Sequence, residues 1–433
     1  MKTVSFHTLG CKLNFAETST IEKQFVERGF QVVGRYEKAD ICVINTCSVT
    51  QHADKECRQI VRQALRTSPD AFVIVVGCYA QLKPEEIVRI QGVDLVLGTN
   101  EKFKIFDYVD GFVKKNYACV FSTPIDEVES FSPASSFDTD GRTRAFLKVQ
   151  DGCDYTCSFC TIPLARGVSR SQPLDVTIAQ AKELVQQGYK EIVLTGVNVG
   201  DYGRKIGTNI FALLKELEKI DGLHRIRISS IEPNLLKREM IKYIAWSEKI
   251  CHHFHIPLQS GHNEILRLMQ RRYTVEHYYR LIHTIKEIIP DCGIGVDVIV
   301  GFPGETEAHF EHTYKFLVDL PASYLHVFSY SERANTKAMK LPGNVDPRIR
   351  QERSEKLRIL GAKKKYQFYS QMVGKTVPVL LEGEKRNGKM FGFTENYVRV
   401  SVNYDERLVN QIVDVKISGV VDNVGIGEIV NER

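Results

Sequence analysis

The sequence has no apolar run long enough to cross a bilayer. Its longest, such as FVIVV at 72–76, fall far short of the ~18 residues that a membrane-spanning helix needs. The opening MKTVSFHTLGC lacks the continuous apolar stretch of a signal peptide, and GIGEIVNER at the end does not read as a tail anchor. A cytoplasmic protein with no membrane partner is expected. A large charge of one sign is also missing. The net charge is only +5 over 433 residues, so any nucleic-acid surface must be a local patch rather than a property of the whole chain. There is no internal repeat and no low-complexity tract, which sets solenoids aside. GFPGE at 301–305 lacks the Gly-Lys-Ser/Thr step of a phosphate loop. In a cytoplasmic setting the eleven cysteines read as metal ligands, catalytic groups or buried thiols rather than disulfides.

What is present falls into segments. TVSFHTL, DICVINT and FVIVVG are short apolar strands separated by helical patterns over 15–29 and 52–66, and VDLVLG adds a fourth strand at 93–98. Strands alternating with helices predict a parallel α/β domain over 1–120. Residues 121–143, rich in Ser, Asp, Pro and Thr, predict a linker. From 144 to 371 six further strands are expected near 145–150, 191–195, 225–230, 252–257, 294–300 and 323–328. They fit a partial (β/α) barrel whose chemistry sits at the carboxyl ends of its strands. A cation-dense helix over 347–371 closes this segment. The stretch 372–433 reads as a small antiparallel β-barrel with Gly and Asn turns. The fold class is therefore α/β with an appended small barrel.

The motif DGCDYTCSFC places Cys153, Cys157 and Cys160 within eight residues, and no fourth cysteine or histidine follows nearby. Structural zinc sites show two separated Cys/His pairs, so a thiolate trio points to iron–sulfur ligation. Three thiolates hold three irons of a 4Fe–4S cube and leave one iron open to a further ligand. A second trio is dispersed. Cys11, Cys47 and Cys78 each lie just past the carboxyl end of a different expected parallel strand. Parallel strands put those ends on one sheet edge, so the three thiols converge there. The remaining five cysteines read as buried thiols.

The C-x3-C-x2-C spacing, with Phe159 before the last cysteine, resembles the radical S-adenosylmethionine (SAM) superfamily. That resemblance implies that the open iron chelates the amino and carboxylate groups of SAM, which is cleaved to a 5′-deoxyadenosyl radical. TLGCKLNFAET, INTCSVTQHADKECRQ, VVGCYAQ, DGCDYTCSFCTIPLARGVSRS, HIPLQSGHNEILRLMQRRY and DVIVGFPGETE together resemble the methylthiotransferase family over nearly the whole chain. The subgroup they look most like is the MtaB type. One departure is Asp154, Tyr155 and Thr156, where relatives often carry Asn and Phe.

The resemblance implies methylthiolation at adenine C2 of N(6)-threonylcarbamoyladenosine, at position 37 in the tRNA anticodon stem-loop. It implies two 4Fe–4S clusters and SAM as cofactors, and the C-terminal barrel as an RNA-binding TRAM domain. An electron donor is needed, and a monomer is expected. Alternatives are isopentenyladenosine tRNA or a ribosomal protein as substrate or, in another class, an iron–sulfur electron carrier or assembly protein. For SAM, the candidates are Gly196 and Asn198 in TGVNVG, Glu232 in SSIEP, Gln259 in PLQSG, and Arg170 in ARGVSRS. For RNA they are Lys363, Lys364 and Lys365 on the basic helix, and Lys385, Arg386 and Lys389, interleaved with Phe391, Phe393 and Tyr397. His252, His253 and His255 read as barrel-interior residues rather than ligands.

Overall fold

A computed structural model describes residues 1–47, 51–114, 116–136 and 143–431. The first unit is a six-stranded, all-parallel sheet. Its strands are β1 (Thr3–Thr8), β2 (Gln31–Val33), β3 (Ile41–Thr46), β4 (Phe72–Gly77), β5 (Val93–Leu97) and β6 (Cys119–Phe121), in the order β2-β1-β3-β4-β5-β6. β3, β4 and β5 are buried along their whole length, because helices cover both faces; this is why they read as unbroken apolar runs. The edge strands β2 and β6 are three residues each, too short to leave a periodic signal. Chain direction across the sheet reverses between β1 and β3, the kind of switch point where open α/β sheets bind ligands.

The second unit carries β7 (Arg144–Lys148), a small hairpin of β8 (Gln150–Asp151) and β9 (Arg170–Ser171), then β10 (Glu191–Thr195), β11 (Arg225–Ile228), β12 (His253–His255), β13 (Gly293–Val300) and β14 (Tyr324–Ser329). β11-β10-β7 and β12-β13-β14 are parallel three-stranded sheets. The parallel bridge Ile226–Ile250 joins them, giving one open six-stranded barrel. Alternation along each strand separates two environments. Leu147, Ile192, Leu194, Ile226 and Val296 pack outward against the helices in one large core. The other face carries Glu191, Arg227, His255 and Asp297.

Two other parts of the chain fill that inner face. The helix Lys12–Glu27 turns Ile21 and Phe25 to its own sheet and Ala16 to Phe146 and Val193 of the barrel. In the C-terminal unit, β15 (Thr376–Leu381), β16 (Lys389–Thr394), β17 (Arg399–Asn403), β18 (Ile412–Val421) and β19 (Val424–Asn431) close into a five-stranded barrel. It is antiparallel except where β17 pairs parallel with β19.

The turn between β16 and β17 plugs the amino-terminal end of the large barrel. Arg225 donates to the carbonyls of Phe393 (2.8 Å) and Pro378 (2.7 Å), and Arg227 to those of Glu395 (2.8 Å) and Thr394 (3.1 Å). Tyr397 lies against His253, with ring centroids 4.4 Å apart. Burial alone would raise the Glu191 carboxyl. Arg227, donating to it at 2.7 Å, holds it down at about 2.

Of the expected linker, 137–142 lie outside the described residues. Ser135 and Ser136 are pinned, Ser135 N–H to Thr20 Oγ1 (3.0 Å) and Ser136 N–H to the Phe146 carbonyl (2.8 Å). No helix among the described residues is long and apolar enough to cross a membrane.

Candidate active site

Cys11, Cys47 and Cys78 follow β1, β3 and β4, three adjacent strands, at their carboxyl edge. Two glycines let them converge. Gly10 has φ +104°, and a Cβ there would lie 2.7 Å from Cys47 Cβ; Gly77 has φ +98°, and a Cβ there would lie 2.5 Å from Asn45 Oδ1. Neither position accepts a side chain without displacement. Asn14 ties the crevice together by donating to the carbonyls of Leu9 (2.7 Å) and Thr46 (3.1 Å). Cys11 is exposed, Cys47 partly buried and Cys78 buried. Ser48, Val49 and Thr50 of the NTCSVT motif lie outside the described residues.

Cys153, Cys157 and Cys160 lie in the loop after β8, at the carboxyl mouth of the barrel. Backbone N–H groups donate to sulfur from Tyr155 to Cys153 and from Ile162 to Cys160, each at 3.4 Å. Arg271 Nη1 donates to Cys157 Sγ at 3.0 Å. Burial pushes the Cys153 thiol up to about 11 and the Cys160 thiol up to about 12. Thiolates here therefore need a compensating positive charge, which a bound metal supplies. Donors aimed at sulfur are the arrangement that iron–sulfur ligation uses. The helix Cys78–Leu82 packs against Ile162–Arg166, just after the second trio, so the two cysteine loops belong to one crevice.

A buried charge network holds that crevice. Glu17 accepts from Arg166 (2.8 and 3.0 Å) and Lys148 (3.2 Å) and pairs with Lys102 (2.7 Å). Asp151 pairs with Lys148 (2.6 Å) and Arg166 (3.0 Å). Burial pushes the Glu17 carboxyl up, but the three cations together hold it well below the usual carboxylate range.

The proposed SAM residues divide. Gly196 approaches Gln150 so closely that a Cβ would lie 2.9 Å from its Oε1. The Asn198 side chain is buried with neither of its polar atoms bonded, and Thr195 Oγ1 and Ser229 Oγ nearby are likewise buried without a hydrogen-bond partner. Unpaired buried polar atoms at the ends of β10 and β11 fit the polar end of an amino-acid ligand. Glu232 is held by Arg271 at 2.5 Å, the residue that also reaches Cys157. Gln259, at φ +69°, lines a cavity of about 210 Å³ with Phe159, Cys160, Asp297 and Tyr330.

Arg170 donates through Nη1 to the carbonyl of Val128 (3.1 Å) and through Nη2 to that of Arg166 (2.7 Å), beside Asp151, while its Nε is buried without a hydrogen-bond partner. His253 and His255 lie inside the barrel, bonded to Tyr324 OH and Asp297 Oδ1, each at 2.7 Å.

Among the proposed RNA residues Lys364 is corrected. It is buried, with Nζ donating to the carbonyls of Val318 (3.0 Å) and Leu320 (2.7 Å). Lys363, Lys385 and Arg386 are exposed, and Lys365 and Lys389 half-buried. Arg386 pairs with Glu384 at 2.7 Å. Phe393 and Tyr397 are turned into the large barrel under Arg144 (4.3 Å) and Arg227 (5.0 Å), so they are not free to stack on bases. A run of sequence shows that cations cluster, but not which of them a neighbouring element covers.

Comparison with known proteins agrees with this architecture. Residues 147–317 match the radical SAM superfamily, 3–98 the uncharacterized protein family UPF0004, and 370–430 the TRAM domain. The radical SAM methyltransferase TsrM from Kitasatospora setae shares the fold, with a TM-score of 0.54 at 15% identity over 89% of this chain and 81% of that one. The chain is thus a radical SAM protein with an added N-terminal α/β domain and a terminal TRAM barrel. It is 42% identical to the threonylcarbamoyladenosine tRNA methylthiotransferase MtaB of Bacillus subtilis over 96% of this chain and 94% of that one. It is also 42% identical to that of Aquifex aeolicus over 92% and 96%. A tRNA-2-methylthio-N(6)-dimethylallyladenosine synthase from Thermoanaerobacter pseudethanolicus is 33% identical over 96% and 91%. The chain belongs to the MtaB family of tRNA methylthiotransferases.

Proposed function

We propose that the protein converts N(6)-threonylcarbamoyladenosine at position 37 of tRNA to its 2-methylthio derivative. The observation that carries this reading is the identity of 36–42% with MtaB proteins over more than nine-tenths of the chain. The 33% identity to the dimethylallyladenosine synthase makes the other tRNA base the weaker choice.

Two 4Fe–4S clusters and SAM, when bound, supply the radical that activates adenine C2 and the sulfur it receives. Cys153, Cys157 and Cys160 would hold one cluster, and Asn198, Glu232 and Gln259 would line the SAM site. Cys11, Cys47 and Cys78 would hold the other. The protein's own part is placement. Arg271 fixes Cys157 and Glu232 together, and the Glu17 network fixes the N-terminal crevice over the barrel mouth. A radical is quenched by whatever it meets first, so the base must be held close to both trios. Substrate tRNA reaches the crevice with help from Lys363, Lys385 and Arg386, and a cellular electron donor supplies reducing equivalents.

Nucleoside mass spectrometry of tRNA from cells with and without the gene tests the reading. Loss of the 2-methylthio-threonylcarbamoyl nucleoside on deletion is expected. An unchanged nucleoside profile refutes it.

A further inference from the structure

Lys12 is the residue after Cys11 and the first of the helix Lys12–Glu27. It is half-buried, yet no carboxylate pairs with it among the described residues. The surrounding acids are already taken. Glu191 is bound by Arg227 (2.7 Å) and flanked by Arg225 (3.8 Å), and Glu382 pairs with Arg144 at 2.9 Å. The ammonium lies 5.4 Å from the centre of the Tyr397 ring. It also lines a cavity of about 230 Å³ whose other walls are Phe15, Arg144, Phe146 and Glu382. A cation held at a cavity wall without a counter-charge is costly unless a ligand brings one.

The substrate proposed above brings one. A threonylcarbamoyl group ends in an amino-acid carboxylate, whereas a dimethylallyl group is apolar and uncharged. Adenine C2 and the carbon bearing N6 flank the same ring nitrogen. Lys12 follows Cys11 directly, and its ammonium reaches from there toward Tyr397 and Arg144, so a base that presents C2 to Cys11 can lay its N6 substituent along the start of this helix toward that cavity. We propose that Lys12 binds the carboxylate of the N6 substituent and so selects the threonylcarbamoyl base over uncharged ones. Phe15 and Phe146 form the apolar wall against which the rest of the substituent lies. The inference rests on the functional reading above and names the group that reads its substrate.

The test uses the reconstituted full chain and anticodon stem-loop RNA carrying either the threonylcarbamoyl acid or its methyl ester. Both kcat/KM for methylthiolation and the Kd of each RNA are measured. Wild type should prefer the acid about 10–100-fold, as the loss of one charge-assisted contact implies. Lys12→Gln should lose that factor on the acid alone and treat acid and ester alike. Lys12→Arg should keep most of the preference. Iron per chain is measured on each variant, because damage at Cys11 would lower both substrates equally. Equal handling of acid and ester by wild type overturns the proposal, as does an equal loss on both by Lys12→Gln with iron intact. Should no methylthio product form on either RNA, the functional reading fails. The ratio of the two Kd values then still decides whether Lys12 reads the charge.

Discussion

Glu17→Gln should loosen the N-terminal domain from the barrel. The carboxylate is fully buried and meets Arg166, Lys148 and Lys102 at 2.7–3.2 Å. Glutamine keeps the shape and removes the charge, leaving three buried cations to share Asp151. Removing one member of a buried pair costs about 3–5 kcal/mol, and with three partners the upper end is expected. Because Glu17 stands on one domain while Lys148 and Arg166 stand on the other, the cost falls on their docking.

Two assays read it: the urea midpoint, and the rate of protease cleavage within 121–143. Removing a charge of each sign, as in Glu17→Met with Lys102→Met, should cost less than Glu17→Gln alone. The pH dependence follows from the sign of the shift. The folded-state pKa of Glu17 is depressed, so its contribution is complete above the unfolded value of about 4.3 and is lost as pH falls below it. Wild-type docking should weaken on acidification through that range, and the Gln variant should respond less. A Glu17→Gln variant within about 0.5 kcal/mol of wild type, with the same cleavage rate, refutes the reasoning.

Replacing Cys153, Cys157 and Cys160 by Ala should remove about half of the roughly eight irons expected for two 4Fe–4S clusters and abolish formation of 5′-deoxyadenosine; unchanged iron sinks the assignment. Replacing Cys11, Cys47 and Cys78 should leave reductive SAM cleavage in the presence of tRNA and stop methylthio transfer, read by quantifying 5′-deoxyadenosine and the modified nucleoside in parallel. Truncation before residue 373 should do more than weaken salt-dependent tRNA binding. It uncovers Arg225, Arg227 and His253, so the melting temperature of the remaining chain should fall by several degrees, and a barrel of unchanged stability would refute the plug.

Much of this protein is legible without its tertiary structure. The C-x3-C-x2-C loop is local, and its spacing alone marks a three-thiolate site. The convergence of Cys11, Cys47 and Cys78 is also legible, because parallel strands deliver their carboxyl ends to one edge whatever the details of packing. β3, β4 and β5 show as apolar runs since helices bury both faces of the sheet. The short edges β2 and β6 and the β8–β9 hairpin span too few residues to set a period. What tertiary structure alone decided is the fate of each charge. Lys364 stands in a basic stretch like its neighbours, yet it is buried and its ammonium is taken by the carbonyls of Val318 and Leu320. Phe393 and Tyr397 look like stacking aromatics until the barrel they plug is in place, and Lys12 is set apart by the cavity wall on which it stands, where no carboxylate among the described residues pairs with it. Periodicity reports which face of an element is buried. The partner of a charged group is set by which other segment covers that face, and so by contacts that no local period reports.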